Sequence, residues 1–235
     1  MSSLDTGESL AVISPHLDDG VFGCGAVLAE NPGAAVITVF AGVPASPSTA
    51  TPWDRNSGFA NGAEAMRRRR EEDATALAML DARPWHMDFL DAQYGQPVTA
   101  TVIARALQGA LEALGSKRVV VPMGLFHSDH ELTHRAARLL MFGETGRTWW
   151  AYEDAMYRKL DGQLEGRLKE LRGMGIATEF AGAYAGRRFE RKRRAISAYR
   201  SQLRSLSHAS DDGYTDVFAP ERYWALRLDD RNVEG

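Results

Sequence analysis

The chain has 235 residues, enough to bury one sizeable hydrophobic core, and we predict a single domain spanning residues 1–235. Its 28 basic and 31 acidic residues give a net charge of −3. This argues against a nucleic-acid partner, because such proteins neutralise phosphates with excess lysine and arginine. Residues 1–9 are polar and no apolar run approaches a membrane span, so we expect no signal peptide, no membrane partner and a cytoplasmic location.

Apolar runs alternate with amphipathic stretches along the chain, which predicts strands separated by helices. The predicted strands cover residues 10–14, 35–40, 85–89, 118–122 and 148–152. The predicted helices cover residues 20–30, 63–80, 99–114, 129–141 and 188–206. Strands joined through helices form right-handed crossovers, so we predict an α/β fold with a mostly parallel sheet, a Rossmann-like three-layer sandwich.

A histidine and two aspartates follow the first predicted strand directly. His16, Asp18 and Asp19 come after the apolar run 11–13, and Gly20 opens the next predicted helix. Open α/β sheets bind their ligands at the carboxyl ends of strands. Helix capping would account for one aspartate, but not for two beside a histidine. We interpret the group as part of a metal site, with one aspartate as a ligand and the other acting on a bound water.

The segment 42–62 is predicted to be a long loop, rich in Pro, Ser, Thr, Ala and Gly. Loops of this length in a compact domain are usually functional lids or disordered segments. Trp53 and Phe59 favour a lid, because aromatic rings can cover a site. Both interpretations stay open.

A second cluster, His127 to His130, follows the predicted strand 118–122 and precedes the helix 129–141. A parallel sheet would bring this cluster beside the first one. The two together would supply a His-Asp-His ligand set with room for water, which is typical of a catalytic zinc rather than a structural one.

The two motifs, SPHLDD at 14–19 and HSDH at 127–130, resemble the signature of the PIG-L or LmbE-like de-N-acetylases. These are zinc enzymes that remove the acetyl group from N-acetylglucosamine units. The further matches are RREE at 69–72, FLD at 89–91, YED at 152–154, and Lys192 with the residues that follow it. The resemblance runs from about residue 10 to about residue 226. It implies a zinc-dependent hydrolase whose partner is a small molecule or conjugate carrying an N-acetyl amino sugar.

The resemblance also implies roles for residues in the two clusters. It makes His16, Asp19 and His130 the zinc ligands. It makes Asp18 the general base and His127 an acid or a stabiliser of the oxyanion. Asp129 would orient His127.

Two residues outside the clusters are predicted to contact the hydroxyls of the sugar. Arg69 lies at the start of a helix that resembles the substrate side of the family's site, and Asp91 ends the third predicted strand. Leu125 stands where some sugar-thiol deacetylases have a tyrosine, and this departure weakens the transfer of their substrate. An amidase acting on a sugar-thiol conjugate remains the alternative within the family.

A competing motif overlaps the second cluster. Residues 130–134 read HELTH, which matches the H-E-x-x-H pattern of zinc peptidases. In that alternative His130 and His134 hold the zinc, and Glu144 or Glu153 completes the site. We prefer the deacetylase assignment, because the peptidase leaves the SPHLDD motif without a role.

Overall fold

The computed structural model describes residues 7–45, 49–95, 97–143, 146–184, 188–209 and 214–229. Within these ranges seven strands form one sheet. They are β1 (Leu10–Ser14), β2 (Ala35–Thr38), β3 (Arg83–His86), β4 (Arg118–Pro122), β5 (Thr148–Tyr152), β6 (Ile176–Tyr184) and β7 (Glu221–Leu228). Their order in the sheet is β3-β2-β1-β4-β5-β7-β6. The first five are parallel, and β7 runs antiparallel to both of its neighbours, so the predicted α/β class with a mostly parallel sheet is confirmed.

Eight α-helices connect the strands in the described ranges. They are α1 (Asp19–Glu30), α2 (Pro52–Ser57), α3 (Gly62–Ala78), α4 (Ala100–Ala113), α5 (Ser128–Gly143), α6 (Gln163–Gly173), α7 (Phe189–Ile196) and α8 (Arg200–Ala209). Two short 3₁₀ turns lie at Ala92–Tyr94 and Thr215–Phe218. None of these helices combines the length and apolar character that crossing a membrane requires.

The helices cover both faces of the sheet, which gives three layers. Side chains of β1 alternate between two cores: Ala11 and Ile13 pack with α4, α5 and α6, whereas Val12 packs with α1, α3 and α7. This alternation follows from the two-residue period of a strand. Because β1 is buried on both faces, its sequence is a continuous apolar run rather than an alternating one.

The order of strands reverses between β1 and β4. The chain moves outward from β1 to β2 and β3, then returns to the other side of β1 to form β4 and β5. β1 and β4 are paired directly, with Val12 opposite Val120. The loops that leave these two strands therefore diverge at a topological switch point, the usual place for a ligand in an open α/β sheet.

The sequence predictions differ from the fold at several elements. The third strand is Arg83–His86, not 85–89, because the chain leaves the sheet after residue 86 and Phe89 accepts a bond from Gly42 instead. The predicted helix 188–206 is two helices, broken before α8, where the Glu72 carboxylate accepts bonds from the backbone and hydroxyl of Ser201. The predicted loop 42–62 contains the short helix α2, and α6, β6 and β7 were not predicted.

Candidate active site

The two clusters meet at the carboxyl edge of the sheet, and a tight turn lies within the first cluster and at the start of the second. The Asp18 N–H donates to the His16 carbonyl at 3.0 Å, and the His127 N–H donates to the Leu125 carbonyl at 2.7 Å. Phe126, at the centre of the second turn, has a φ of 63° and is exposed. Such a backbone is costly for a phenylalanine, and strain of this kind concentrates at functional sites.

A serine fastens the first turn to the start of α1. The Ser14 hydroxyl donates to the His16 carbonyl at 2.6 Å and accepts the Gly20 N–H at 2.8 Å. A Cβ on Gly20 would lie 2.8 Å from the side chain of Val36, so only glycine fits this close approach. The packing therefore fixes the backbone between His16 and Asp19.

One carboxylate oxygen lies between two imidazoles. Asp19 Oδ2 is 3.1 Å from His16 Nδ1 and 3.1 Å from His130 Nε2. Ligands of a tetrahedral zinc, with bonds of about 2.0–2.1 Å, stand about 3.3 Å apart. Asp19, one of the three predicted ligands, thus stands beside each of the other two at a separation that suits donors to one metal ion. One nitrogen of His127 also falls within 4.8 Å of nitrogens of His16 and His130.

Two further carboxylates hold the imidazoles from behind. Asp154 Oδ1 is 2.7 Å from His130 Nδ1, and the other Asp154 oxygen accepts the Leu125 N–H. Asp129 Oδ2 is 3.0 Å from His16 Nε2 and accepts the Ala92 N–H. Carboxylates that bond the far nitrogen of a histidine fix its orientation and raise its basicity, as at many metal sites.

Asp129 is predicted to orient His127, and the structure gives this contact to its backbone rather than to its carboxylate. That carboxylate faces His16, because the Ala92 N–H and His16 Nε2 converge on it. The backbone N–H of Asp129 donates instead to His127 Nδ1 at 3.2 Å. Because Nδ1 accepts this bond, the neutral His127 carries its proton on Nε2.

The charges in the cluster shift several pKa values. Burial, reinforced by the neighbouring Asp19 charge, raises the pKa of Asp18 to about 7. Burial lowers the pKa of His130, but the Asp19 and Asp154 carboxylates outweigh it and raise the value to about 9. Burial and the charges of His16 and His130 lower the pKa of His127. Asp18 is thus a carboxylate able to exchange a proton near neutral pH, and His127 is favoured in its neutral form.

A cavity of about 510 Å³ opens over the cluster. Its polar wall is formed by His16, Asp18, Asp19, Asp91, Gln93, His127, His130 and Gln202. Its remaining wall is aromatic or apolar and is formed by Phe22, Trp53, Ala155, Met156, Tyr157 and Leu206. The volume suits a small molecule or one sugar unit of a conjugate.

The two predicted sugar-binding residues lie in different environments. Asp91 lines the cavity, with Oδ2 4.0 Å from His16 Nε2, and its oxygens accept bonds from the backbone and side chain of Gln93. Arg69 does not line the cavity. It is 2% exposed and its Nη2 lies 2.9 Å from Asp54 Oδ1, beneath α2.

The structure does not assemble the peptidase alternative. His134 is fully buried, its Nδ1 lies 2.8 Å from the Pro122 carbonyl, and it does not line the cavity. Burial, and next the positive charge of Arg167, lower the pKa of His134 to about 3. The Glu153 carboxylate is taken by Arg222 and Trp224, and Glu144 lies outside the described residues.

A family model described as PIG-L, GlcNAc-PI de-N-acetylase, matches residues 11–141, more than half of the chain. The matched region includes both clusters. The chain belongs to this family, and it is an N-deacetylase of the hydrolase class. A search of curated proteins found no match.

Solved deacetylases share the fold. A triple mutant of Orf2, a deacetylase of the teicoplanin biosynthetic pathway, is 26% identical with a TM-score of 0.78, covering 94% of this chain and 99% of its own. Orf2 has also been crystallised in a zinc-inhibited form, and a deacetylase of the teicoplanin biosynthesis pathway has been crystallised with teicoplanin. The A40926 pseudoaglycone deacetylase Dbv21 is 25% identical with a TM-score of 0.71, covering 94% and 98%. The N,N'-diacetylchitobiose deacetylase from Pyrococcus horikoshii shares the fold at 17% identity and a TM-score of 0.51, covering 94% and 83%.

Proposed function

We propose that the chain is a zinc-dependent deacetylase that removes the N-acetyl group from an N-acetylglucosamine-like unit of a small molecule or conjugate. The observation that carries this proposal is the Asp19 carboxylate, which stands 3.1 Å from both His16 and His130 at the base of a sugar-sized cavity. Relatives named for deacetylation of teicoplanin, A40926 pseudoaglycone and diacetylchitobiose support an amino-sugar substrate.

His16, Asp19 and His130 would hold the zinc. Imidazole nitrogen and carboxylate oxygen are donors that zinc prefers, and Asp129 and Asp154 complete the orientation of the two histidines. When bound, the ion would polarise the amide carbonyl and lower the pKa of a water molecule.

Asp18 accepts the proton of the attacking water. The water oxygen bonds to the carbonyl carbon, and Asp18, with its pKa near 7, holds the released proton. The C–N bond then breaks, and Asp18 passes the proton to the departing nitrogen. The products are acetate and the free amino sugar.

His127 stabilises the negative oxygen that develops on the carbonyl. Its Nδ1 accepts the Asp129 N–H, so its Nε2–H is the donor available to the oxyanion. Removal of one such donor from an enzyme costs roughly 3 kcal/mol of transition-state stabilisation. Asp18, which has taken the proton of the water, is the donor that returns it to the amine.

Acetate release by the zinc-loaded protein tests the proposal. The panel contains N-acetylglucosamine, N-acetylglucosaminides with small, lipid and large aromatic aglycones, and a sugar-thiol conjugate. Casein is included for the peptidase alternative. We expect acetate from at least one N-acetyl sugar and no cleavage of casein. Peptide cleavage without acetate release would overturn the proposal, and a preference for the sugar-thiol conjugate would select the alternative substrate.

A further inference from the structure

We propose that Trp53 is the surface on which the sugar ring of the substrate packs, and that buried Arg69 holds this surface in place through Asp54. The inference rests on the proposed amino-sugar substrate and adds the recognition of its ring. It also gives Arg69 a different role from a direct contact with sugar hydroxyls.

Trp53 offers the cavity a ring surface rather than a hydrogen bond. The residue lies on α2 and lines the same cavity as the metal-ligand cluster. Its indole N–H already donates to Gln202 Oε1 at 2.9 Å. An indole whose N–H is engaged contributes its π face and carbon edge, which pack well against the C–H face of a pyranose.

Groups that bind hydroxyls line the same cavity. The Asp91 carboxylate is held by Gln93 and lies 4.0 Å from His16, beside the predicted ligand set. Gln93 and Gln202 also line the cavity, where the Gln93 amide bonds Thr51 and Asp91 and the Gln202 oxygen accepts the Trp53 N–H. An aromatic wall with a few oriented polar groups suits a ligand that has one apolar face and a hydroxylated edge.

A buried carboxylate anchors the helix that carries Trp53. The Asp54 side chain is fully buried and accepts bonds from the Thr51 N–H and the Tyr94 hydroxyl. Arg69 Nη2 lies 2.9 Å from Asp54 Oδ1. A six-residue helix is not stable alone, so these bonds from α3 and the 92–94 turn help to fix one side of α2.

The opposite side of α2 is fixed to α8. The Ser57 and Ser205 hydroxyls lie 2.7 Å apart, and Ser205 also donates to the Trp53 carbonyl at 3.1 Å. The backbone of Trp53 is therefore held from α8 while its neighbour Asp54 is held from α3. Loss of the Arg69 charge would leave the Asp54 carboxylate buried without its cation, so α2 would shift.

Steady-state kinetics on N-acetylglucosamine test the proposed packing of the sugar ring on Trp53. Trp53→Ala should raise KM roughly 5- to 10-fold, because aromatic packing is lost from ground and transition states alike. Trp53→Phe should recover most of the loss, and zinc content should stay unchanged in both. Trp85→Ala is the matched control, since Trp85 is partly exposed on β3 and does not line the cavity.

A double-mutant cycle tests the role of Arg69. Arg69→Met, Asp54→Asn and the double variant should raise KM by the same factor within about twofold, because all three release the same helix. Arg69→Lys, which keeps a cation, should retain more affinity than Arg69→Met. Losses from Arg69 and Asp54 that multiply would instead show a direct substrate contact of Arg69 and overturn its positioning role.

The outcomes separate this inference from the proposed function. If the wild type releases acetate from N-acetylglucosamine while Trp53→Ala keeps the wild-type KM, the role of Trp53 is overturned and the proposed deacetylase function is retained. If the zinc-loaded wild type releases acetate from no amino sugar, both proposals are overturned. Circular dichroism of each variant shows whether a loss reflects the site or the fold.

Discussion

Two buried histidines one turn apart on α5 lie in opposite electrostatic surroundings. His130 opens toward the cavity, bonds Asp154, faces Asp19, and has its pKa raised to about 9. His134 packs below the loop that leaves β4, bonds only the Pro122 carbonyl, and has its pKa lowered to about 3. Both are nearly inaccessible to solvent, so burial alone does not distinguish them. The difference comes from the carboxylates that other elements supply to His130.

The comparison shows why the H-E-x-x-H pattern is not sufficient for a metal site. The pattern needs both imidazoles on one face pointing to a shared ion. Here Gly124, with a φ of 77°, lets its loop pass so close to His134 that a Cβ would lie 2.5 Å from that side chain. The loop also places the Pro122 carbonyl 2.8 Å from His134 Nδ1, so that nitrogen is engaged by the backbone.

The largest difference is expected in metal content. His130→Ala should lower bound zinc from about one per chain to close to none, whereas His134→Ala should keep zinc and turnover, because only His130 meets Asp19. Elemental analysis of the dialysed variants measures this. His16→Ala and Asp19→Ala should behave like His130→Ala. Full zinc in His130→Ala, or loss of zinc in His134→Ala, would reverse the assignment.

Substitution of Asp18 is expected to cause a large loss of catalysis without a loss of metal. Asp18→Asn keeps the size of the side chain but removes the proton acceptor, so turnover should fall roughly 100-fold to 10,000-fold. Zinc content should equal that of the wild type. Normal turnover in this variant would remove Asp18 from the mechanism.

A moderate effect is expected from the carboxylate behind His130. Asp154→Asn weakens the bond that orients the imidazole, and zinc affinity or activity should fall roughly 10- to 100-fold. Competition with a chelator measures the affinity. Asp88→Asn is a suitable control, because Asp88 is exposed and pairs with Arg70 at the surface. Equal zinc affinity in Asp154→Asn and the wild type would remove Asp154 from the site.

Much of the fold was predictable where burial of a strand on both faces leaves a clear apolar run in the sequence. β1, β4 and β5 have the predicted bounds, because strands buried on both faces are short, uninterrupted apolar runs. β6 and β7 were missed because they form a partly exposed antiparallel pair with mixed side chains. The break before α8 depends on Glu72, a residue more than a hundred positions away, which no local pattern reveals.

The site, too, was predictable only in part. The clusters at 16–19 and 127–130 were predictable as neighbours, because consecutive residues follow two strands that pair at the switch point. The partners that orient them were not. Asp154 belongs to the YED match, for which no role was predicted, although its carboxylate bonds His130. Arg69 pairs with Asp54 instead of facing the cavity, and Asp54 lies in a segment predicted to be a loop. Such contacts join distant elements and are decided by packing.

The last expected effect is at His134, and it concerns stability rather than catalysis. In the unfolded chain His134 titrates near its ordinary pKa of 6.5, whereas in the folded chain the pKa is about 3. Above pH 6.5 both states are neutral at this residue. Below pH 6.5 the unfolded state binds a proton at this residue and the folded state does not, so the free energy of unfolding falls as the pH drops toward 3.

His134→Gln, whose amide can still donate to the Pro122 carbonyl, lacks this pH-dependent contribution. Between pH 7 and pH 4.5 the free energy of unfolding of the wild type should therefore fall by roughly 2 to 3 kcal/mol more than that of the variant. Urea titrations at the two pH values measure the difference, with acetate release at pH 7 confirming an intact site. Parallel losses of stability would mean that His134 is protonated in the folded protein, and the contrast with His130 would then not rest on charge.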